Sequence, residues 1–122
     1  SEESHYFLKN KCKENSINFL SSAFSIEDAK LLKKIGCESI KIPSFEISNL
    51  DLLNYCKNNF YRIYLSTGTA NEEEIISVHD LFENWDNELI VMHCVSAYPC
   101  EASLINLPRI AKLNTYFENI HI

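Results

Sequence analysis

Lys41 stands inside an apolar run, Ile40–Pro43 (IKIP), where a charge is costly unless something pairs with it. A lysine so placed can form a Schiff base with a carbonyl. It can also hold an anion such as phosphate or carboxylate. A lysine on an edge strand turned to solvent would look the same and do no chemistry. Ser44 and Glu46 follow closely. Ser44 could donate to a phosphate oxygen, and Glu46 could hold a sugar hydroxyl or balance Lys41. Helix starts use the same residue types. Ser66-Thr67-Gly68 closes another apolar run, with two hydroxyls and a small residue that suit an approaching anion or a plain capping turn. His93 is central in Ile90–Ser96 (IVMHCVS), and Ser96, Tyr98 and Pro99 lie just beyond it. A lone strand histidine is more often a satisfied core residue than a base or a ligand. His5, His79 and His121 show no spacing typical of a metal pair. Cys94 neighbours His93, but adjacent strand residues point to opposite faces, so the two do not read as a nucleophile and its base.

These residues need elements to hold them. Short β-branched runs recur at Phe19–Phe24, Ile40–Pro43, Ile63–Thr67 and Ile90–Ser96, with a last start at Ile120–Ile122. Helical periodicity fills the intervals. The first helix spans about Ile26 to Ile35, with Ser25 as N-cap, Asp28 three residues on and Gly36 as the stop. Ser48 or Asn49 opens the second, with Leu50, Leu53 and Tyr55 or Cys56 facing inward. Asn71 opens the third, whose first turn holds Glu72, Glu73 and Glu74 and whose stripe is Ile75, Val78, Leu81 and Phe82. Pro108 begins a fourth, running to about Phe117, and residues from Tyr6 to Asn15 read as an earlier helix. Alternating strands and helices at this spacing predict βα units and a parallel sheet, with apolar strands covered on both faces.

An open doubly wound sheet and a (β/α)8 barrel compete at this point. No G-x-G-x-x-G or P-loop marks a nucleotide site. Polar residues gather instead at the ends of four strands: Ser21/Ser22, Lys41/Ser44/Glu46, Ser66/Thr67 and His93/Ser96/Tyr98. That distribution is what a barrel active site requires. Five strands make about half of such a barrel, so residues 1–122 read as a fragment of a TIM-barrel catalytic domain with two unpaired edges.

Composition bounds the function classes. Of the 122 residues 46% are hydrophobic and 23% charged, as in a globular chain. A net charge of −6 argues against a general nucleic-acid binder. No apolar run is long enough to span a bilayer, and the polar opening SEESHYFLKNKCKENS does not read as a secretory leader. Five cysteines, none spaced C-x-x-C, read as reduced thiols in a cytoplasmic protein.

Four motifs in order, FLSSAF, KIPSFEISNLDLL, IYLSTGTANEEEI and VMHCVSAYP with INLPRI, resemble the sialic acid synthase family from about Tyr6 onward. The resemblance implies an enzyme that condenses phosphoenolpyruvate with an N-acylated amino-hexose to give a nonulosonic acid and phosphate. It implies phosphoenolpyruvate contacts at Ser22, Lys41, Ser44, Ser66 and Ser96, and sugar contacts at Glu46 and Tyr98. Lys41 and Glu46 are the residues it makes catalytic. His93 lies in the family's H-C motif and receives no role. The resemblance further implies a homodimer, and a divalent metal (manganese or magnesium) whose ligands lie outside these residues. Departures leave the sugar open. Phe45 stands where many members carry glycine, and the S-F-E form resembles the pseudaminate branch. His93 resembles the neuraminate and legionaminate branches. Cys100 and Thr69 replace a usual threonine or alanine and a usual methionine. Two other readings stand beside this one: a Schiff-base aldolase using Lys41, and an inactive truncated piece.

Overall fold

Strands β1 (Ser39–Ile42), β2 (Arg62–Ser66) and β3 (Glu88–Met92) lie side by side, parallel and in chain order. The computed structural model describes residues 1–117. The expected strand start at Ile120–Ile122 lies outside the described residues.

Register divides the sheet into two unlike faces. Ile42, Leu65 and Val91 stand level, as do Ile40, Ile63 and Leu89. All of these but Leu89 are fully buried in the core. The other face presents Ser39, Arg62 and Glu88 in one row, then Lys41, Tyr64 and Ile90, then Ser66 and Met92. Most of that face is only half-buried. The expectation that both faces are covered is therefore corrected: within the described residues only one face is packed. The period-two alternation in RIYLS is the cause, since Arg62, Tyr64 and Ser66 all turn to the same side.

Helices α1 (Glu2–Glu14), α2 (Ile26–Lys34), α3 (Leu50–Asn59), α4 (Glu72–Phe82) and α5 (Pro108–Leu113) complete the chain. Ser25 caps α2 by accepting the Asp28 amide proton at 3.1 Å, and Gly36 takes a positive φ of 78° at its end. Asn71 and Glu74 form a full capping box on α4, with both bonds at 2.9 Å. Ala29, Leu32, Leu52, Leu53, Cys56, Ile75 and Val78 carry α2, α3 and α4 onto the packed face of the sheet.

Three expectations change. The run Phe19–Phe24 yields one bridge, Ser22 to Lys41, held by Lys41 N–H to Ser21 at 3.1 Å and Ala23 N–H to Lys41 at 3.0 Å. Pro43, two residues on, has no N–H with which to continue the ladder. Leu50 is 48% exposed because it is the first residue of α3, and Leu52 takes the inward place. The helix expected to reach Phe117 stops at Leu113, although turn-type bonds continue to Phe117.

One lysine pattern links the helices in series. Lys9 of α1 donates to the carbonyls of Ile35 and Gly36 after α2, both at 2.6 Å. Lys33 of α2 donates to Asn59 at the end of α3. Lys57 of α3 donates to Leu81 near the end of α4 at 2.5 Å. Each ammonium thus sits on the negative end of the next helix.

Candidate active site

The half-buried face of the sheet collects the chemistry. Ser22, Lys41 and Tyr64 stand level on three neighbouring segments. Adjacent strands lie ~4.8 Å apart, so the three side chains share one strip. Lys41 makes no side-chain hydrogen bond or ion pair among the described residues. Tyr64 was not among the sequence candidates, although its alternation with Ile63 and Leu65 marks it as facing the lysine's side. Arg62, one level lower, pairs with Glu88, which holds the guanidinium pKa above its ordinary value. A second cation is therefore spent at the far end of the strands, away from the strand C-termini.

Above the strip lie the loops. Ser44 follows β1 directly, at the start of a 3₁₀ turn over Ser44–Glu46, and is 9% exposed. Glu46 accepts from the Asn49 amide at 2.8 Å, and Asn49 in turn accepts the Leu52 N–H at 3.2 Å as the cap of α3. One carboxylate oxygen of Glu46 thus anchors the loop. Phe45 is 59% exposed and its ring lies 5.6 Å from that of Phe24, so the residue that departs from the expected glycine widens an aromatic rim.

The S-T-G triplet divides its labour. Thr67 is fully buried, and its hydroxyl donates to the Met92 carbonyl at 2.9 Å, as does its N–H at 3.0 Å. Thr67 therefore locks β2 to β3 and is not free for a ligand. Ser66 ends the polar face, level with Met92. At Gly68 an added Cβ would lie 2.5 Å from Ser96 Oγ and 3.2 Å from Cys94 Cβ. The absent side chain lets the Ser96 loop settle over the end of β2, bringing Ser66 and Ser96 into one neighbourhood. Tyr98, in contrast, is 94% exposed and touches none of the other candidates through a hydrogen bond.

His93 follows β3. Its Nε2 lies 2.8 Å from the Ile105 carbonyl oxygen, and its Nδ1 is buried with no partner among the described residues. None of the cysteines is disulfide-bonded. Burial pushes the Cys56 thiol up to about 12, which suits a packing residue and not a nucleophile. Among the described residues no three His, Cys, Asp or Glu side chains converge to hold a metal ion. A cavity of about 740 Å³ lies elsewhere, between Trp85, Glu88 and the stretch Asn114–Phe117. It adjoins the last described residues and holds none of the candidate site residues.

Comparison with known proteins matches the NeuB family over residues 1–122. An N,N'-diacetyllegionaminic acid synthase of Campylobacter jejuni is 34% identical over 119 residues, covering 95% of this chain and 36% of that protein. A pseudaminic acid synthase of Helicobacter pylori is 33% identical over 116 residues, covering 94% and 34%. The crystal structure of an N-acetylneuraminic acid synthetase from Leptospira borgpetersenii, in complex with citrate, superposes with a TM-score of 0.91 at 31% identity. That superposition covers 98% of this chain and 42% of that one. The chain spans about a third of the length of the curated relatives it matches.

Proposed function

Because the chain belongs to the NeuB family, we propose that the polypeptide carrying it condenses phosphoenolpyruvate with an N-acylated amino-hexose, giving a nonulosonic acid and phosphate. Carbon 3 of phosphoenolpyruvate attacks the open-chain aldehyde of the sugar. Water adds at carbon 2, and the carbon–oxygen bond to phosphate breaks. The observation that carries this reading is the strip in which Ser22 and Lys41 stand level on the open face, with Ser44, Ser66 and Ser96 at the strand ends above. A lysine and several hydroxyls at one end of the strands would bind phosphate and carboxylate through charge-assisted hydrogen bonds and oppose the charge that develops in the reaction. Glu46, half-buried beside Ser44, and Tyr98 on the outer loop face the sugar. The names of the relatives support a sialic-type acid as product. They do not choose among the sugars.

Strands in unbroken chain order, all parallel, support an arc of a (β/α)8 barrel, in which the remaining strands would cover the open face. Among the described residues no three His, Cys, Asp or Glu side chains fit a divalent metal. Residues elsewhere in the polypeptide would have to supply it. Among the described residues no helix is long and apolar enough to cross a membrane. A cytoplasmic homodimer acting on small molecules is part of the same proposal.

The test is phosphate release by the full-length protein from phosphoenolpyruvate, offered a panel of N-acylated hexosamines with manganese. Release should depend on the sugar, and Lys41→Ala should cut it by orders of magnitude. Near-wild-type turnover in Lys41→Ala would end this assignment. A borohydride-stable adduct mapped to Lys41 would replace it with a Schiff-base aldolase.

A further inference from the structure

The segment from His93 to Cys100 carries two candidate ligand contacts, Ser96 and Tyr98, and is poorly tied. Among the described residues its backbone makes no hydrogen bond to another part of the backbone. Two features restrain it. One is the close approach of Ser96 to Gly68. The other is the bond between His93 Nε2 and the Ile105 carbonyl oxygen, 2.8 Å long and spanning twelve residues. That bond closes the loop at its base.

The geometry points to His93 as the positioning residue of this loop, held in the Nε2–H tautomer and acting through Ser96 and Tyr98. Among the described residues only Nε2 of the two ring nitrogens faces an acceptor, and a carbonyl oxygen offers no proton. The opposite tautomer would set a lone pair against that oxygen and leave a buried N–H at Nδ1 with no acceptor. Each of those defects is costly, so the proton sits on Nε2. The Nδ1 lone pair then faces inward, unused by any described residue. His93 thus serves the candidate site without touching a substrate. Its effect on activity rests on the synthase reading above, but the tether itself does not.

Two substitutions separate this role from others. The amide nitrogen of glutamine reaches from the backbone about as far as Nε2, and that of asparagine only about as far as Nδ1. In the full-length protein, His93→Gln should keep the Ser96 and Tyr98 amide NMR resonances near their wild-type positions. His93→Asn should shift or broaden them, and should raise the dissociation constant for phosphoenolpyruvate on the order of five- to tenfold, the loss of one hydrogen bond. Nitrogen-15 shifts of the His93 ring should report the Nε2–H form. The Nδ1–H form, or equal behaviour of the two variants, whether both intact or both impaired, would overturn the proposal. Unperturbed wild-type ring shifts with no phosphoenolpyruvate binding at all would fault the synthase reading and leave the tether standing.

Discussion

Gly68 illustrates how one residue type decides a site. Its conformation does not require glycine; its neighbours do. Ser96 Oγ at 2.5 Å and Cys94 Cβ at 3.2 Å from a built Cβ leave no room for even a methyl group. The serine hydroxyl can swing aside, but the Cys94 Cβ sits close to the backbone and yields less. Gly68→Ala should therefore fold and yet move Ser96 away from Ser66, weakening phosphoenolpyruvate by about fivefold in titration calorimetry. Unchanged affinity would mean that Ser96 does not contact the anion. Lys41 is the converse case. Its charge lies in mid-strand with no partner among the described residues, on the same strip as Ser22 and Tyr64. An anionic ligand is the simplest way to compensate such a charge, which is why Lys41→Ala is expected to be so damaging.

Between elements, cations hold the helices in series. Lys9, Lys33 and Lys57 recur at intervals of 24 residues, and each reaches the C-terminal end of the helix after its own. A charge-assisted bond to terminal carbonyls combines with a favourable helix dipole. Lys33→Met and Lys57→Met should each cost about 1 kcal/mol in urea unfolding of the full-length protein, with effects that add. A sum far below that would reduce these contacts to surface ornament. The last helix is held by another device. Glu72 in the first turn of α4 accepts from Lys112 and from the Tyr116 hydroxyl, both at 2.6 Å. The Lys112 bond first, then Tyr116, holds the Glu72 carboxyl below its usual range. A carboxyl lowered in the folded state contributes stability above its unfolded pKa and loses it as pH falls through the folded one. Protection of the α5 amides against hydrogen exchange, measured relative to intrinsic rates and compared with Glu72→Gln, should therefore fall only as pH drops below the ordinary glutamate range. An identical pH response in the variant would show that the cluster does not dock α5.

At the scale of the molecule, the sheet is packed on one side. Arg62, Tyr64 and Lys41 line the other, and within the described residues β3 has β2 as its only strand neighbour. A parallel sheet normally has both faces covered. Residues 1–122 expressed by themselves should therefore be oligomeric or poorly soluble, since an open face and an unpaired edge invite association. A sharp, monomeric melt by calorimetry and light scattering would contradict this and mark a self-sufficient open-sheet domain.

Much of this was legible in local sequence. Caps at Ser25 and Asn71, the stop at Gly36 and the proline start of α5 act within a few residues, so their positions follow from residue type alone, while the choice of Asn49 over Ser48 as the cap of α3 did not. The strand cores IKI, IYLS and LIVM follow from β-branched runs, and the motif order was enough to point to the family that the comparisons match. What depended on neighbours distant in sequence was not legible. Only lateral register reveals that Ser22, Lys41 and Tyr64 share a level, because strand partners are separated by some twenty residues of helix and loop. Thr67 and Ser66 look equivalent in sequence; only contact with β3 engages the Thr67 hydroxyl with the Met92 carbonyl and leaves that of Ser66 without a hydrogen bond among the described residues. The histidine tether, the glycine cradle and the lysine series all join groups 12 to 28 residues apart. Tertiary structure alone decides them, because hydrogen bonds and steric fit act over a few ångströms in space, whatever the distance along the chain.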